Sequence, residues 1–218
     1  MQHSPVLLID SSSAVIQVGL WATGREAAWE ISESEASFGV FSATEKLLQS
    51  AKLNLFAIDA FVFCAGPGSV LGVRTAAVAI RTWNAIRERR VFGFSSLEVV
   101  AHFEKQKRAN QVFSVIADAR RETWHEIKVD ASGTVSSLQR VPASSFAGAG
   151  ARVMPAHFRH WAPVPASTET VPYRLSEMLP ALNEVALFSE NSDPDAFLHE
   201  APAYLTWTPQ IHRAPSAS

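Results

Sequence analysis

The stretch from residue 60 to residue 87 constrains this chain most. Ala60-Phe-Val-Phe-Cys64 is an apolar run of strand length, Gly66-Pro67-Gly68 is a turn, and an apolar helical pattern follows from about Gly72 to Arg87. The order then repeats. Val91-Phe92-Gly93-Phe94 reads as a short strand, and Ser95 with Glu98 forms a capping box that launches a helix from Ser96 to about Lys105. Strands interleaved with helices in this way belong to α/β folds.

Three β-type runs precede this unit: Pro5 to Asp10, Ala14 to Trp21 and Glu26 to Ile31, a meander opening a sheet. Ser42 and Glu45 form another capping box, which predicts a helix over 44–52. The polar segment 104–110 marks a border. Beyond it, runs at 112–118, 123–129 and 134–141 form a second meander, with Asp118-Ala119-Arg120 where the first carries Asp10-Ser11-Ser12. The repeated order predicts a duplicated, two-lobed α/β architecture, with an N-terminal lobe over 1–107 and a C-terminal lobe over 108–218. From Pro142 onward prolines and alanines dilute the pattern, and residues 213–218 read as a loose tail.

Only 18% of the residues are charged, against about 25% in typical chains, while 47% are hydrophobic. That balance excludes general disorder and predicts a surface covered by a partner. A net charge of −2 argues against a chain whose main work is gripping a phosphate backbone. The single cysteine, Cys64, excludes a disulfide framework and a cysteine-rich zinc site. No apolar run approaches the ~18–20 residues of a membrane span, and the first five residues lack the basic and apolar regions of a signal peptide. The expected location is the cytoplasm, away from membranes.

Cys64 to Arg74 is the stretch richest in chemistry. Its glycine turn between strand and helix could bring backbone N–H groups to an anion. It lacks the Lys-Ser/Thr of a P-loop, and the three residues between Gly68 and Gly72 break the dinucleotide pattern. On spacing alone a tight strand-to-helix turn is the reading to prefer. Asp10 with Ser11 and Ser12 could position a metal-bound phosphate, or Asp10 could cap its own turn. Asp118 with Arg120, Arg121 and Glu122 offers the same choice between a phosphate loop and a surface ion-pair cluster. His157 and His160 have no acidic third ligand nearby, and Cys64 ends a very apolar strand, so neither predicts a reactive centre. The helix after the glycine loop is apolar nearly all round, with Val73, Ala76, Ala77 and Ile80 on one face. It must be covered on more than one side, by its own domain or by a second protein. The basic clumps at 87–90, 105–108 and 120–121 show no interleaved aromatic platform.

Taken in order, Leu8-Ile9-Asp10-Ser11-Ser12, Gly66-Pro67-Gly68-Ser69 with Gly72-Val73-Arg74, Ser95-Ser96-Leu97-Glu98, Asp118-Ala119-Arg120-Arg121-Glu122 and Pro202-Ala203-Tyr204-Leu205 resemble the TsaB (YeaZ) family. That family takes part in making threonylcarbamoyladenosine in tRNA. The resemblance covers most of the chain. The sequence departs from the family pattern at Val70-Leu71, at 32–35 and at Thr206.

The resemblance implies a degenerate two-lobed, actin-like ATPase (ASKHA, ribonuclease H-like) fold related to the catalytic protein TsaD, whose metal-binding H-x-x-x-H has no counterpart here. It implies a non-catalytic activating subunit with no catalytic residues and no metal. Such a subunit binds a TsaD-like enzyme and a TsaE-like ATPase, self-associates when alone, and meets tRNA only through the complex. No cofactor of its own is expected, with ATP or ADP confined to the complex interface. The expected partner interface is Leu47, Leu48, Val73, Ala76, Ala77 and Ile80. Asp10, Ser11, Ser12, Gly66, Gly68, Ser69, Arg74 and Asp118 are expected to be vestigial phosphate loops. The alternatives are an active ATPase or small-molecule kinase of the same fold, with Gly148-Ala149-Gly150 as its candidate adenosine loop, and a glycoprotease-like peptidase.

Overall fold

The computed structural model describes residues 5–22, 24, 26–146 and 150–196. Strands β1 (Val6–Asp10), β2 (Ile16–Trp21) and β3 (Ala28–Ser32) form an antiparallel meander. Helix α1 (Ala36–Ala51) follows, and then β4 (Ala60–Gly66), α2 (Val70–Ile86), β5 (Arg90–Ser95) and α3 (Ser96–Lys107). Because helices carry the chain across the sheet, β4 lies parallel to β1 and β5 parallel to β4. The second meander is β6 (Phe113–Asp118), β7 (Thr123–Val129) and β8 (Gln139–Pro142). Strands β9 (Ala151–Pro155) and β10 (Thr168–Val171) extend it on the other side in parallel. Helix α4 (Leu175–Ala181) then leads to β11 (Ser189–Glu190), which returns to pair with β5. The sheets have the orders β11-β5-β4-β1-β2-β3 and β10-β9-β6-β7-β8.

Alternation along β1 divides the interior. Leu8 joins Val62, Phe94, Leu97, Val100, Phe113, Val115 and Met178 in a core shared by both sheets, α3 and α4. Leu7 and Ile9 point the other way, into a core beneath α1 and α2. Buried on both faces, β1 and β4 read as continuous apolar runs, which is why the sequence reveals them.

Four expectations need correction. Helix α1 starts at Ala36, not near 44, so Ser42 and Glu45 lie inside it and cap nothing. The Ser42 hydroxyl donates to the Gly39 carbonyl, and the Glu45 carboxylate accepts from Gln49. Gly39 sits inside the helix because a Cβ there would lie 2.4 Å from Ile16 Cδ1 on the sheet below. The strand expected over 134–141 shrinks to β8, with Val135 making a lone bridge to Val129. At α3 the Ser95 hydroxyl accepts the Glu98 amide at 3.4 Å, which is half of the predicted box; no bond returns from the Glu98 carboxylate to Ser95.

The fourth correction is functional. Leu47, Leu48, Val73, Ala76, Ala77 and Ile80 are all buried in the chain's own core beneath α1 and α2, with Ala76 and Ile80 wholly inaccessible. Small residues let α2 lie close on the sheet, so this face is consumed within the monomer and cannot meet a partner. The helices expose other apolar residues instead: Phe38 and Phe41 on α1, and Leu71 (76% exposed), Val78 (58%) and Ile86 on α2.

No helix among the described residues is long and apolar enough to cross a membrane. The motif at 202–205, Thr206, the tail at 213–218, and Gly148 and Ala149 of the candidate adenosine loop lie outside the described residues.

Candidate functional site

The sequence motifs at 10–12 and 66–72 meet at the carboxyl ends of β1 and β4. Asp10 Oδ1 accepts the Ser12 amide at 2.7 Å, the Asx turn that short polar side chains favour. The Ser12 carbonyl in turn accepts the Ser69 amide at 2.7 Å, and the Ser11 hydroxyl donates to the Gly72 carbonyl at 2.8 Å. Ser69 caps α2, its hydroxyl accepting the Gly72 amide at 3.2 Å. The Ser96 hydroxyl, at the start of α3, holds the Pro67 carbonyl at 2.6 Å.

The glycines are there because backbone approaches backbone. A Cβ on Gly68 would stand 2.2 Å from the Ser12 carbonyl oxygen, and one on Gly72 would stand 2.0 Å from that of Ser11. Gly68 also has φ +151°. The glycine loop therefore lies directly on the first hairpin, where the amides of Ser12, Ser69 and Gly72 are each already bonded. An anion site needs N–H groups aimed at solvent. These aim at the chain itself.

Asp10 is wholly buried. Its Oδ2, the Ser12 hydroxyl and the Tyr173 hydroxyl form no hydrogen bond of ordinary geometry, although Tyr173 and Ser12 stand close enough to affect the carboxyl. Burial pushes the Asp10 carboxyl above its ordinary range, while Tyr173, Ser12 and Cys64 draw it partly back. Burial and then the Asp10 charge push the Cys64 thiol and the Tyr173 phenol well up. Cys64 is thus an unreactive thiol within the core.

The cleft between the sheets is bridged beside this point. The Ala14 amide donates to the His157 carbonyl at 2.9 Å. Buried Gln17 donates to the Tyr173 carbonyl at 3.2 Å and accepts the Leu175 amide at 2.8 Å. Asp10 has no exposed oxygen, and the amides of Ser12, Ser69 and Gly72 are taken, so these residues do not fit a magnesium-bound triphosphate. No step is derived through one.

The remaining predicted loop residues are elsewhere or otherwise engaged. Arg74 projects from α2 and pairs with Asp195 at 3.5 Å. Gly66 ends β4 with φ +115°. Asp118 is saturated by three backbone amides: Arg120 on Oδ1 at 2.5 Å, and Trp161 and Ala162 on Oδ2 at 2.7 and 2.9 Å. Among the described residues no three His, Cys, Asp or Glu side chains gather as a ligand set.

Residues 35–137 match the profile of the family described as TsaD, tRNA N6-adenosine threonylcarbamoyltransferase. YeaZ from Pseudomonas aeruginosa superposes with a TM-score of 0.65 over 90% of this chain and 100% of its own, at 19% identity. The chain has the YeaZ fold. An uncharacterized protein from Pseudomonas aeruginosa with similarity to peptidase YEAZ superposes at 0.63, covering 90% of this chain and 99% of its own at 18% identity. No curated protein sequence matches. Both superpositions show a two-sheeted α/β fold, and the matched profile agrees with the resemblance read from the motifs.

Two features escaped the sequence reading. One is the set of exposed apolar residues on α1 and α2, among which Leu71 and Val78 stand two helical turns apart, a usable signal. The other is the contact of Arg120 with Trp161, which no local signal could reveal because 41 residues separate them.

Proposed function

We propose that this chain is a non-catalytic activating subunit for a TsaD-type threonylcarbamoyltransferase that modifies the adenosine beside the anticodon of tRNA. One observation carries the reading: the loops that would hold phosphate in an active enzyme of this fold are packed against each other, backbone on backbone. A frame retained with its site closed fits a subunit that works through its surface. The surface on offer is the apolar stripe of Phe38, Phe41, Leu71 and Val78, which accepts the catalytic subunit or, in its absence, a second copy. A TsaE-like ATPase completes the assembly in the cytoplasm, and any ATP or ADP sits at the interface of that complex. Burying each such side chain contributes about 1.5–3 kcal/mol, enough for a few to hold a partner.

The test is reconstitution of tRNA modification by TsaD from the same organism, with and without this chain. Modification should depend on the chain; equal activity without it removes the proposal. Val78→Asp should leave the chain folded but abolish co-purification with TsaD. Ala77→Asp, one residue away, should instead unfold the monomer by placing an unpaired charge in the core. If Val78→Asp still co-purifies, the stripe is not the interface.

A further inference from the structure

The hairpin between β6 and β7 holds three consecutive non-glycine residues in the left-handed region: Arg120 (φ 64°), Arg121 (φ 50°) and Glu122 (φ 56°). L-residues adopt this conformation at an energetic cost, and a run of three persists only where surroundings enforce it. The enforcement is visible. Asp118 Oδ1 fixes the Arg120 amide, and the Thr123 hydroxyl and amide both hold the Arg120 carbonyl, at 2.6 and 3.0 Å. Arg140 braces the turn from β8 through the Thr123 hydroxyl at 2.8 Å and the Ala119 carbonyl at 3.4 Å.

This framework serves the display of side chains. Asp118 Oδ2 binds the amides of Trp161 and Ala162, tying the loop after β9 to the hairpin tip. The Arg120 guanidinium then lies 4.4 Å over the Trp161 ring, which stays 59% exposed. Arg121, next in the hairpin, is exposed, and Arg159 and His160 are exposed on the loop that carries Trp161. Two acids accompany them: Asp118, turned inward onto amides, and exposed Glu122. Among the described residues, Arg120, Arg121 and Arg159 take part in no ion pair.

An exposed indole with Arg120 stacked on it and exposed, ion-pair-free Arg121 and Arg159 on the same two loops match what an unpaired nucleotide presents. The base stacks on the aromatic face, and neighbouring phosphates meet the arginines. An acidic peptide would engage the arginines but would have no use for the indole. We propose that this tip binds a single-stranded RNA segment directly, with Trp161 as the stacking platform, Arg120, Arg121 and Arg159 as phosphate contacts, and Asp118 as the positioning residue. RNA is chosen over DNA on the strength of the proposed function. The tip is a site that the sequence alone, lacking a visible aromatic platform, did not predict. It also departs from the expectation that tRNA reaches this chain only through the complex.

The probe is a fluorescently labelled stem-loop RNA titrated with the full chain alone, without TsaD, so failure here and failure of the activating role are separately visible. Anisotropy should report binding whose logarithm falls with log salt at a slope of about −2, as three single-strand phosphate contacts require. Arg121→Glu should weaken binding at least about tenfold by replacing an attraction with a repulsion. Trp161→Ala and Trp161→Leu should each weaken it about tenfold or more through lost stacking, the second variant preserving apolar bulk. Arg81→Glu, on exposed α2, should change nothing. The proposal is overturned if unlabelled fully paired RNA of equal length or polyglutamate competes as well as the stem-loop. It also fails if both Trp161 variants bind like the parent, or if no binding appears at low salt.

Discussion

Asp10 and Asp118 each end the first strand of their sheet, and each carboxylate accepts the amide two residues on, at 2.7 and 2.5 Å. Beyond that shared turn the two hairpins diverge. The first is roofed by the glycine loop and α2, leaving Asp10, Ser11 and Ser12 buried. The second is covered only at Asp118, by the loop that carries Trp161, and its tip carries exposed arginines in left-handed conformations. The difference teaches that an acid-bearing hairpin in this fold is not a phosphate site by virtue of its residues. What packs above it decides whether its donors face solvent or the chain.

The sharpest way to break that comparison is to add one methyl group where the glycine loop meets the first hairpin. Gly72→Ala places a carbon 2.0 Å from the Ser11 carbonyl oxygen, and neither backbone can give. It should destabilise the chain by about 3 kcal/mol or more, read as a lowered urea midpoint. A value within a few tenths of a kcal/mol of the parent would mean the two loops are not in contact.

Asp10→Asn should have a smaller effect of the opposite sign. Burial raises the Asp10 carboxyl, so the folded state favours its protonated form. Below the unfolded carboxylate pKa of about 3.9 both states are protonated and the group is neutral in effect. As pH rises from there to the folded pKa, the folded state bears a growing penalty, which is constant above it. The asparagine variant escapes it and offers a donor to the unpartnered hydroxyls of Tyr173 or Ser12. Its melting temperature should exceed the parent's by a margin that widens above pH ~4 and then levels off, worth about 1–3 kcal/mol. A margin that narrows as pH rises contradicts the assigned direction.

The smallest effect belongs to the open hairpin. Arg121→Gly removes a side chain from a left-handed position and should stabilise the chain by about 1 kcal/mol while weakening RNA binding. Loss of stability on adding a carbon at Gly72 and gain on removing the side chain at Arg121 would each match its hairpin, one packed for closure and the other strained for display.

How far the sequence exposed this contrast follows from what local signals encode. Buried strands are apolar along their whole length, so β1, β4, β6 and β7 were legible to within a residue or two. Helix α1 was misplaced because Ser42 and Glu45 have the spacing of a capping box although both lie inside the helix. The elements after Pro142 are short and contain Pro155 and Pro180, which blur any period. Helical periodicity separated the faces of α2 but could not say which face the sheet covers. The alanine face proved internal and the Leu71–Val78 face external. The glycine loop and the Asp10 turn were legible as motifs, but their contact lies between backbones and depends on tertiary approach. The Arg120–Trp161 stack likewise exists only once Asp118 draws the later loop to the hairpin.

The most direct test of a closed first hairpin is tRNA threonylcarbamoylation by TsaD supported by the Asp10→Asn chain, compared with the parent chain at equal concentration. If the hairpin is packing and the subunit acts through its surface, the variant supports modification within about twofold of the parent. A folded Asp10→Asn chain that still binds TsaD but supports no modification would show that this carboxylate takes part in the chemistry, and the account would be wrong.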